Sequence, residues 1–530
     1  MSAVSWTRAM VAVALLGCAR ADDAAMAQEV PEPTSSASAP APAVSGAPVV
    51  VAPGGPLVDL AGIAHVPETK GELGATSWLV RVHAEPKRSS KVIGYLRAGT
   101  RVAAREERRP PSDRCKKGWR TIAPSGWVCM TEMTDDMQHE VVRAIRPPDV
   151  TRRLPYMYGT VTRGGPVYAR IPTAKHLETY EPSLEEHLGK WRKDRESGAT
   201  YGLDVWLRHT EGKSVPSAID ALEQRITDTE IPFFLRDGRT APVIAKEMAE
   251  AGGDAVKVDQ VDRRQGRAFI HSFLHEGRRY NVTPDLLVIP ADRCRPIRGS
   301  GFHGWQVDKE LRFPFALVRR AGGKSYRLEG KKLVEAADLE WRSAHLLTGK
   351  QMFHRDLLHY ETDKGLWIDD RHASRIDPAK RWPKWAKQGQ KWIDVNITKQ
   401  VLVAYEGKTM VYATLVSTGE AGLEDAEHTT ATKRGIFRIH KKWLSTTMDS
   451  EMVGEEFELR DVPYVQYFEE GYAIHGAYWH DGFGQPKSHG CINLAPEDAR
   501  RLFFWTDPPV PQGWHGAEQP LKGTVVFVHP

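Results

Sequence analysis

The clearest alternation of apolar and polar positions lies near the C-terminal end of the chain. In "WIDVNITKQVLVAYEGKTMVYATLVSTG", from Trp392, apolar residues recur at every second position on both sides of Glu406-Gly407-Lys408. That is the pattern of half-buried strands joined by a tight hairpin. "RGIFRIHKKW", "YVQYFEEGYAIHGA" and "KGTVVFVHP" predict further strands. One helix is predicted from about Pro496 to Trp505, announced by proline with Glu497 and Asp498 in its first turn. Residues 391–530 therefore read as a mostly β domain.

Upstream the pattern is shorter and more broken. "SWLVRVHAEPKRSSKVIGYLRAGTRVAAREE" alternates in bursts between glycine and charged turns, and "KKGWRTIAPSGWVCM" adds two Gly-Trp pairs, Gly118-Trp119 and Gly126-Trp127. The two tryptophans read first as core of a small barrel. In residues 150–380, "YMYGTVTRGGPVYARIP" predicts strand, turn and strand with Gly164-Gly165 at the turn. "SVPSAIDALEQRI" and "APVIAKEMAEAGG" have helical spacing, while "RRYNVTPDLLVIP" and "KGLWIDDRHASRI" read as strands. This region is β-rich with a few helices and carries no catalytic constellation. "RWPKWAKQGQKW", residues 381–392, reads as a linker into the last domain.

The chain has 530 residues, enough for several cores. Its net charge of +5 is spread without a Lys/Arg block, which argues against a nucleic-acid binder. The N-terminus carries one positive charge, Arg8, and then the apolar run Ala9 to Leu16, too short for a mature membrane span and suited to a secretory signal. Two processing sites compete. "LLGC", Leu15 to Cys18, resembles a bacterial lipobox that would lipidate Cys18; "ARA", Ala19 to Ala21, is a small-x-small site. Either route exports the protein to the periplasm or cell envelope, and its membrane attachment would be through that lipid alone. Residues 27–56 hold seven prolines among Ala, Ser and Gly and read as an extended tether. An oxidising compartment would let Cys115 and Cys129 pair. A Cys294–Cys491 disulfide is the structural alternative for the other two cysteines.

Chemistry concentrates in "IHGAYWHDGFGQPKSHGCINL", residues 474–494. A free thiol is a weak nucleophile near neutral pH, and a histidine within reach can take its proton. His475, arriving on a separate strand, can face Cys491 more easily than His489, two residues away on the same tight segment. His475 is therefore assigned as base and His489 as support. Gly490 permits a close turn, and the N–H groups around Gly490 and Cys491 could form an oxyanion hole. Asn493 suits holding the loop. Three other readings compete: zinc held by His475, His480, His489 and Cys491, although no paired ligand spacing is present; a buried structural Cys491; and His480 as a cleft-edge or surface residue.

His475, twelve intervening residues and Ser488-His489-Gly490-Cys491-Ile492-Asn493 resemble the signature of the YkuD-type L,D-transpeptidase family. "TKRGIF", Thr432 to Phe437, stands where that family has a Thr-Pro-x-Gly-x-aromatic loop, with Lys433 in place of the proline. Residues 76–135 resemble a bacterial SH3-like module. The resemblance implies a β-rich catalytic domain with one or few helices, preceded by SH3-like barrel units, in a multidomain chain. It divides the chain into a signal (1–21), a linker (22–75), the SH3-like module (76–135), the β-rich region (150–380) and the catalytic domain (391–530).

The resemblance further implies that Cys491 attacks the L-centre carbonyl of a peptidoglycan tetrapeptide stem, releases D-Ala, and passes the acyl group to an amine. His475 would be general base, with the Gly476 carbonyl orienting it. Ser488, His489 and Gly490 would shape the oxyanion pocket. Tyr472 and Trp479 would be cleft walls or core. No metal or organic cofactor is implied, and carbapenems would acylate the site. With water as acceptor the enzyme would be an L,D-carboxypeptidase or amidase; without activity, the chain would be a peptidoglycan-binding envelope lipoprotein.

Overall fold

The computed structural model describes residues 71–112, 114–193, 230–250, 255–297, 299–307, 311–379, 381–450 and 457–530. The expectations for the signal, Cys18, the tether and a helix in 214–226 fall outside these residues. The described chain is mostly β, in several sheets. Among the described residues no helix is long and apolar enough to cross a membrane.

Residues 72–134 form seven short strands, Glu72–Ala75 through Met133–Thr134. Strand Glu72–Ala75 pairs with both Arg101–Arg109 and Met133–Thr134, so the folded module begins a few residues before the expected boundary at 76. Gly118 and Gly126 adopt φ +79° and +108°, turning the chain so that Trp119 and Trp127 enter the interior. Cys115 and Cys129 are joined by a disulfide across a separation of 14 residues. Replacing both with serine is expected to lower stability by about 3 kcal/mol, mainly by freeing the unfolded chain. Denaturant unfolding of the two proteins measures this, and coincident transitions would rule it out.

The module is not a loose bead on a string. Strand Val92–Arg97 pairs with Gly516–Glu518 of the C-terminal domain, joining both to one 15-stranded sheet. Tyr95 Oη donates to Glu518 at 2.6 Å and Trp514 Nε1 donates to the Ala123 carbonyl at 3.0 Å. Arg97, half-buried, binds Asp285 at 2.7 Å and also Asp461, bringing three regions of the chain to one guanidinium.

The middle region contributes a five-stranded sheet and a seven-stranded sheet. The expected hairpin at Gly164-Gly165 does not form. Met157–Val161 pairs with Gly266–Phe269 and Cys294–Ile297, whereas Gly165–Tyr168 pairs with Lys257–Val261 and Val288–Pro290 in another sheet. Long-range partners outcompete the local pairing: the Val161 and Thr162 amides donate to Gln265 and Arg293 carbonyls. Helix Pro242–Glu250 lies where the sequence placed one.

Within residues 381–392, read as a linker, helix Lys384–Lys387 seats Ala386 and Trp385 against Trp392 and Phe527. Strand Trp305–Gln306, from the middle region, adds to the edge of the C-terminal domain's six-stranded sheet beside Thr409–Leu415. That sheet packs its apolar face against Ile474, Ile492, Leu494 and helix Pro496–Trp505 in one core.

Candidate active site

The site grows from one hairpin and one parallel strand. Phe457–Glu469 turns at Gly471 (φ +75°) into Tyr472–Gly476, which pairs in parallel with Ile492–Leu494. The register sets Ile474 opposite Ile492 and His475 opposite Asn493. Because side chains alternate across a strand, Ile474, Ile492 and Leu494 face the core while His475 and Asn493 share the opposite face. Cys491, just before the strand, follows the same alternation and packs on the other core cluster with Ala473. The pleat thus brings His475 and Cys491 to one face from two adjacent strands.

A loop spans the gap between them and is held at several points. The Lys487 and Ser488 amides donate to the Thr418 carbonyl at 3.0 and 3.1 Å, and Ser417 exchanges both backbone hydrogen bonds with Asn493. The 420–431 segment is anchored from both sides, by Thr432 Oγ1 accepting from the Gly419 amide and by Tyr472 Oη donating to the Ala426 carbonyl. Thr432 and Lys433 of the "TKRGIF" stretch therefore abut the site, with Lys433 paired to Glu469 at 2.9 Å. The middle region touches the same loop, where Arg342 grips Asp481 at 2.7 Å.

His475 is buried, and its Nδ1 lies 3.3 Å from the Gly476 carbonyl, in position to donate to it. Burial pushes its pKa down to about 4, only partly countered by that hydrogen bond. Cys491 Sγ is 3.6 Å from the Gly471 carbonyl. Burial pushes its pKa up to about 11, opposed by the Ala473 backbone. At neutral pH the Cys491 thiol is therefore protonated and the His475 imidazole neutral. The thiolate–imidazolium pair of an activated cysteine is not the resting state, because desolvation disfavours both charges.

Ser488 serves the turn. Its Oγ accepts from the Gly490 amide at 3.2 Å and donates to the Cys491 carbonyl. The Gly490 N–H, expected in an oxyanion hole, is thus spent within the turn. Gly490 sits at φ +122°, and a Cβ there would come within 2.9 Å of the Tyr472 ring. His489 is exposed, with its ring 5.1 Å from Phe457. Trp479 lies 5.7 Å from the His475 ring and packs against two core clusters, while Tyr472 lies beneath Gly490. Cys294 and Cys491 are both free thiols, so no disulfide joins them. Among the described residues no group of three or more His, Cys, Asp and Glu is arranged to hold a metal ion.

Tyr467 was not foreseen. It stands opposite Ala473 across the hairpin and close enough for Cys491 to raise its pKa, although burial raises it more. The alternation in "YVQYFEEGYAIHGA" around Glu470-Gly471 was the available signal. His480, read as a cleft-edge or surface residue, is half-buried and reaches Asn493 at 3.0 Å.

The C-terminal domain is β-rich and carries His475 and Cys491 on one face of a two-strand pair. Residues 390–528 match the model of the YkuD family, the L,D-transpeptidase catalytic domain. None of the curated proteins compared with the chain matches it. Similar solved structures include a cysteine-to-serine mutant of Enterococcus faecium L,D-transpeptidase (24% identity, 26% of this chain and 50% of that one, TM-score 0.21). The solution structure of the E. faecium L,D-transpeptidase catalytic domain is 26% identical over 27% of this chain and 98% of that one, TM-score 0.21. A faropenem-derived adduct of L,D-transpeptidase 3 from Mycobacterium tuberculosis is 19% identical over 35% and 78%, TM-score 0.21. The chain spans half the length of the first of these.

Proposed function

We propose that the protein is an exported peptidoglycan L,D-transpeptidase with Cys491 as nucleophile and His475 as general base. The observation that carries this reading is the strand register that puts the two residues on one face, within a segment that matches the L,D-transpeptidase catalytic domain. With the Nδ1 proton donated to the Gly476 carbonyl, the lone pair of neutral His475 lies on Nε2. As Sγ attacks the L-centre carbonyl carbon of a tetrapeptide stem, its proton passes to the imidazole. The C–N bond to the terminal D-Ala then breaks, and the leaving amine takes the proton from His475. An amine of a neighbouring stem attacks the thioester, loses its proton to His475, and returns the cysteine as thiol. The proton moves with the attack, so no standing thiolate is needed. The N-terminal signal delivers the enzyme to the envelope, and the SH3-like module holds wall material near the site.

Intact mass after incubation with a carbapenem tests the reading. One adduct per chain is expected, and none would overturn it. The acylation rate should climb as pH rises through about 4, where His475 loses its proton, and hold through neutrality. An acid limb centred at the ordinary histidine value of 6.5 would contradict the buried neutral base.

A further inference from the structure

The His480–Asn493 contact contains a chemical contradiction whose resolution points into the site. The His480 ring accepts the Gly482 amide at Nδ1, 3.1 Å away. Its neutral form must then carry the ring proton on Nε2. Burial lowers its pKa to about 4, so the neutral form prevails near pH 7. Nε2 lies 3.0 Å from the Asn493 side-chain nitrogen, which sets two donors against each other. Meanwhile Asn493 Oδ1 is buried without a partner among the described residues. Oxygen and nitrogen of a side-chain amide are told apart by their hydrogen bonds. Exchanging them lets Oδ1 accept the Nε2 proton and leaves the NH2 where the orphaned oxygen stood.

We infer that His480 is a positioning residue that holds Asn493 with its amide oxygen toward the imidazole and its NH2 toward the face carrying His475 and Cys491. Asn493 is 98% buried by its 2% exposure, lies opposite His475, and is two residues from Cys491. A buried amide donor without a partner is costly. It gains one when the acyl group on Cys491 brings its carbonyl oxygen to this face. The Gly490 amide, the donor suggested by the turn, is already given to Ser488 Oγ. Asn493 thus supplies a hydrogen bond to the acyl oxygen as charge develops there. The inference rests on the acyl-transfer reading and names the residue that aims one of its donors.

Nitrogen NMR of the His480 imidazole and carbapenem acylation rates test it together. The Nε2–H tautomer is expected, and the Nδ1–H tautomer would overturn the inference whether or not the protein is acylated. His480→Gln can place an amide nitrogen near the position of Nε2 and should recover most of the rate. His480→Asn reaches only the Gly482 side, and Asn493→Asp replaces the donor by an acceptor. Each should slow acylation roughly 10²-fold, the loss typical of one oxyanion donor, with rates compared on protein shown to be folded. Wild-type rates in both would overturn the inference. A wild type that takes up no carbapenem would instead overturn the function, leaving the tautomer to decide the role of His480.

Discussion

Cys491→Ala is expected to take up no carbapenem, and His475→Gln to acylate at Cys491 roughly 10²–10⁴-fold more slowly than wild type at pH 7. The size follows from the resting state of the pair. A thiol pushed up to about 11 is ionised at neutral pH in only about one part in 10⁴. Without a base to take the proton during attack, the variant depends on that fraction. Its residual rate should therefore rise nearly tenfold per pH unit toward 11, while the wild type stays level above about 4. Glutamine roughly keeps the volume of the buried ring, so the thermal midpoint should move little. Initial rates by mass spectrometry between pH 5 and 10 check this, with the pH range chosen to fall between the two cited values. A His475→Gln rate equal to wild type, or independent of pH, would remove His475 from the base role.

Arg278→Ala is expected to destabilise the middle region by about 3–5 kcal/mol, the cost of removing the partner shared by two buried carboxylates. Arg278 reaches Glu181 at 2.8 and 2.9 Å and Asp292 at 2.7 and 3.0 Å. Arg293 adds a bond to Glu181 at 2.6 Å and His187 one to Asp292 at 2.8 Å. All three of Arg278, Glu181 and Asp292 are buried. Burial alone would push both carboxyls up, but the hydrogen bonds and charges of these partners hold them below the usual range. A depressed carboxyl contributes stability above its unfolded pKa, near 4, and loses it as pH falls through the folded value. The gap between wild type and Arg278→Ala should thus be full at pH 7 and shrink below about pH 4. Urea unfolding at both pH values measures it; a gap that widens in acid would contradict the pairing.

The two predictions divide along the line between local and distant information. Strand periodicity in "WIDVNITKQVLVAYEGKTMVYATL" was legible because each residue's face is set by alternation along its own strand. The helix Pro496–Trp505 was legible from its own first turn. The hairpin at Gly164-Gly165 was not, because its two strands are claimed by partners about a hundred residues away. The packed segment 381–392 was not, because Trp385 and Trp392 look the same in a linker and in a core until Phe527 arrives beside them.

For the site, the spacing of His475, Ser488, Gly490, Cys491 and Asn493 in the sequence by itself determined which residues the chemistry would use and which family the C-terminal domain resembles. It did so because that information is carried by residue type and order. Only the tertiary structure decided their state: a neutral His475 and a protonated Cys491 at pH 7, a Gly490 amide already bound to Ser488, and His480 turned to Asn493. Only the fold could join the N-terminal module, the middle region and the catalytic domain through Arg97, Asp285 and Asp461. The physical reason is common to all of these. Desolvation and hydrogen-bond partnership are properties of what surrounds a group in space, and distant segments supply those surroundings only once the chain has folded.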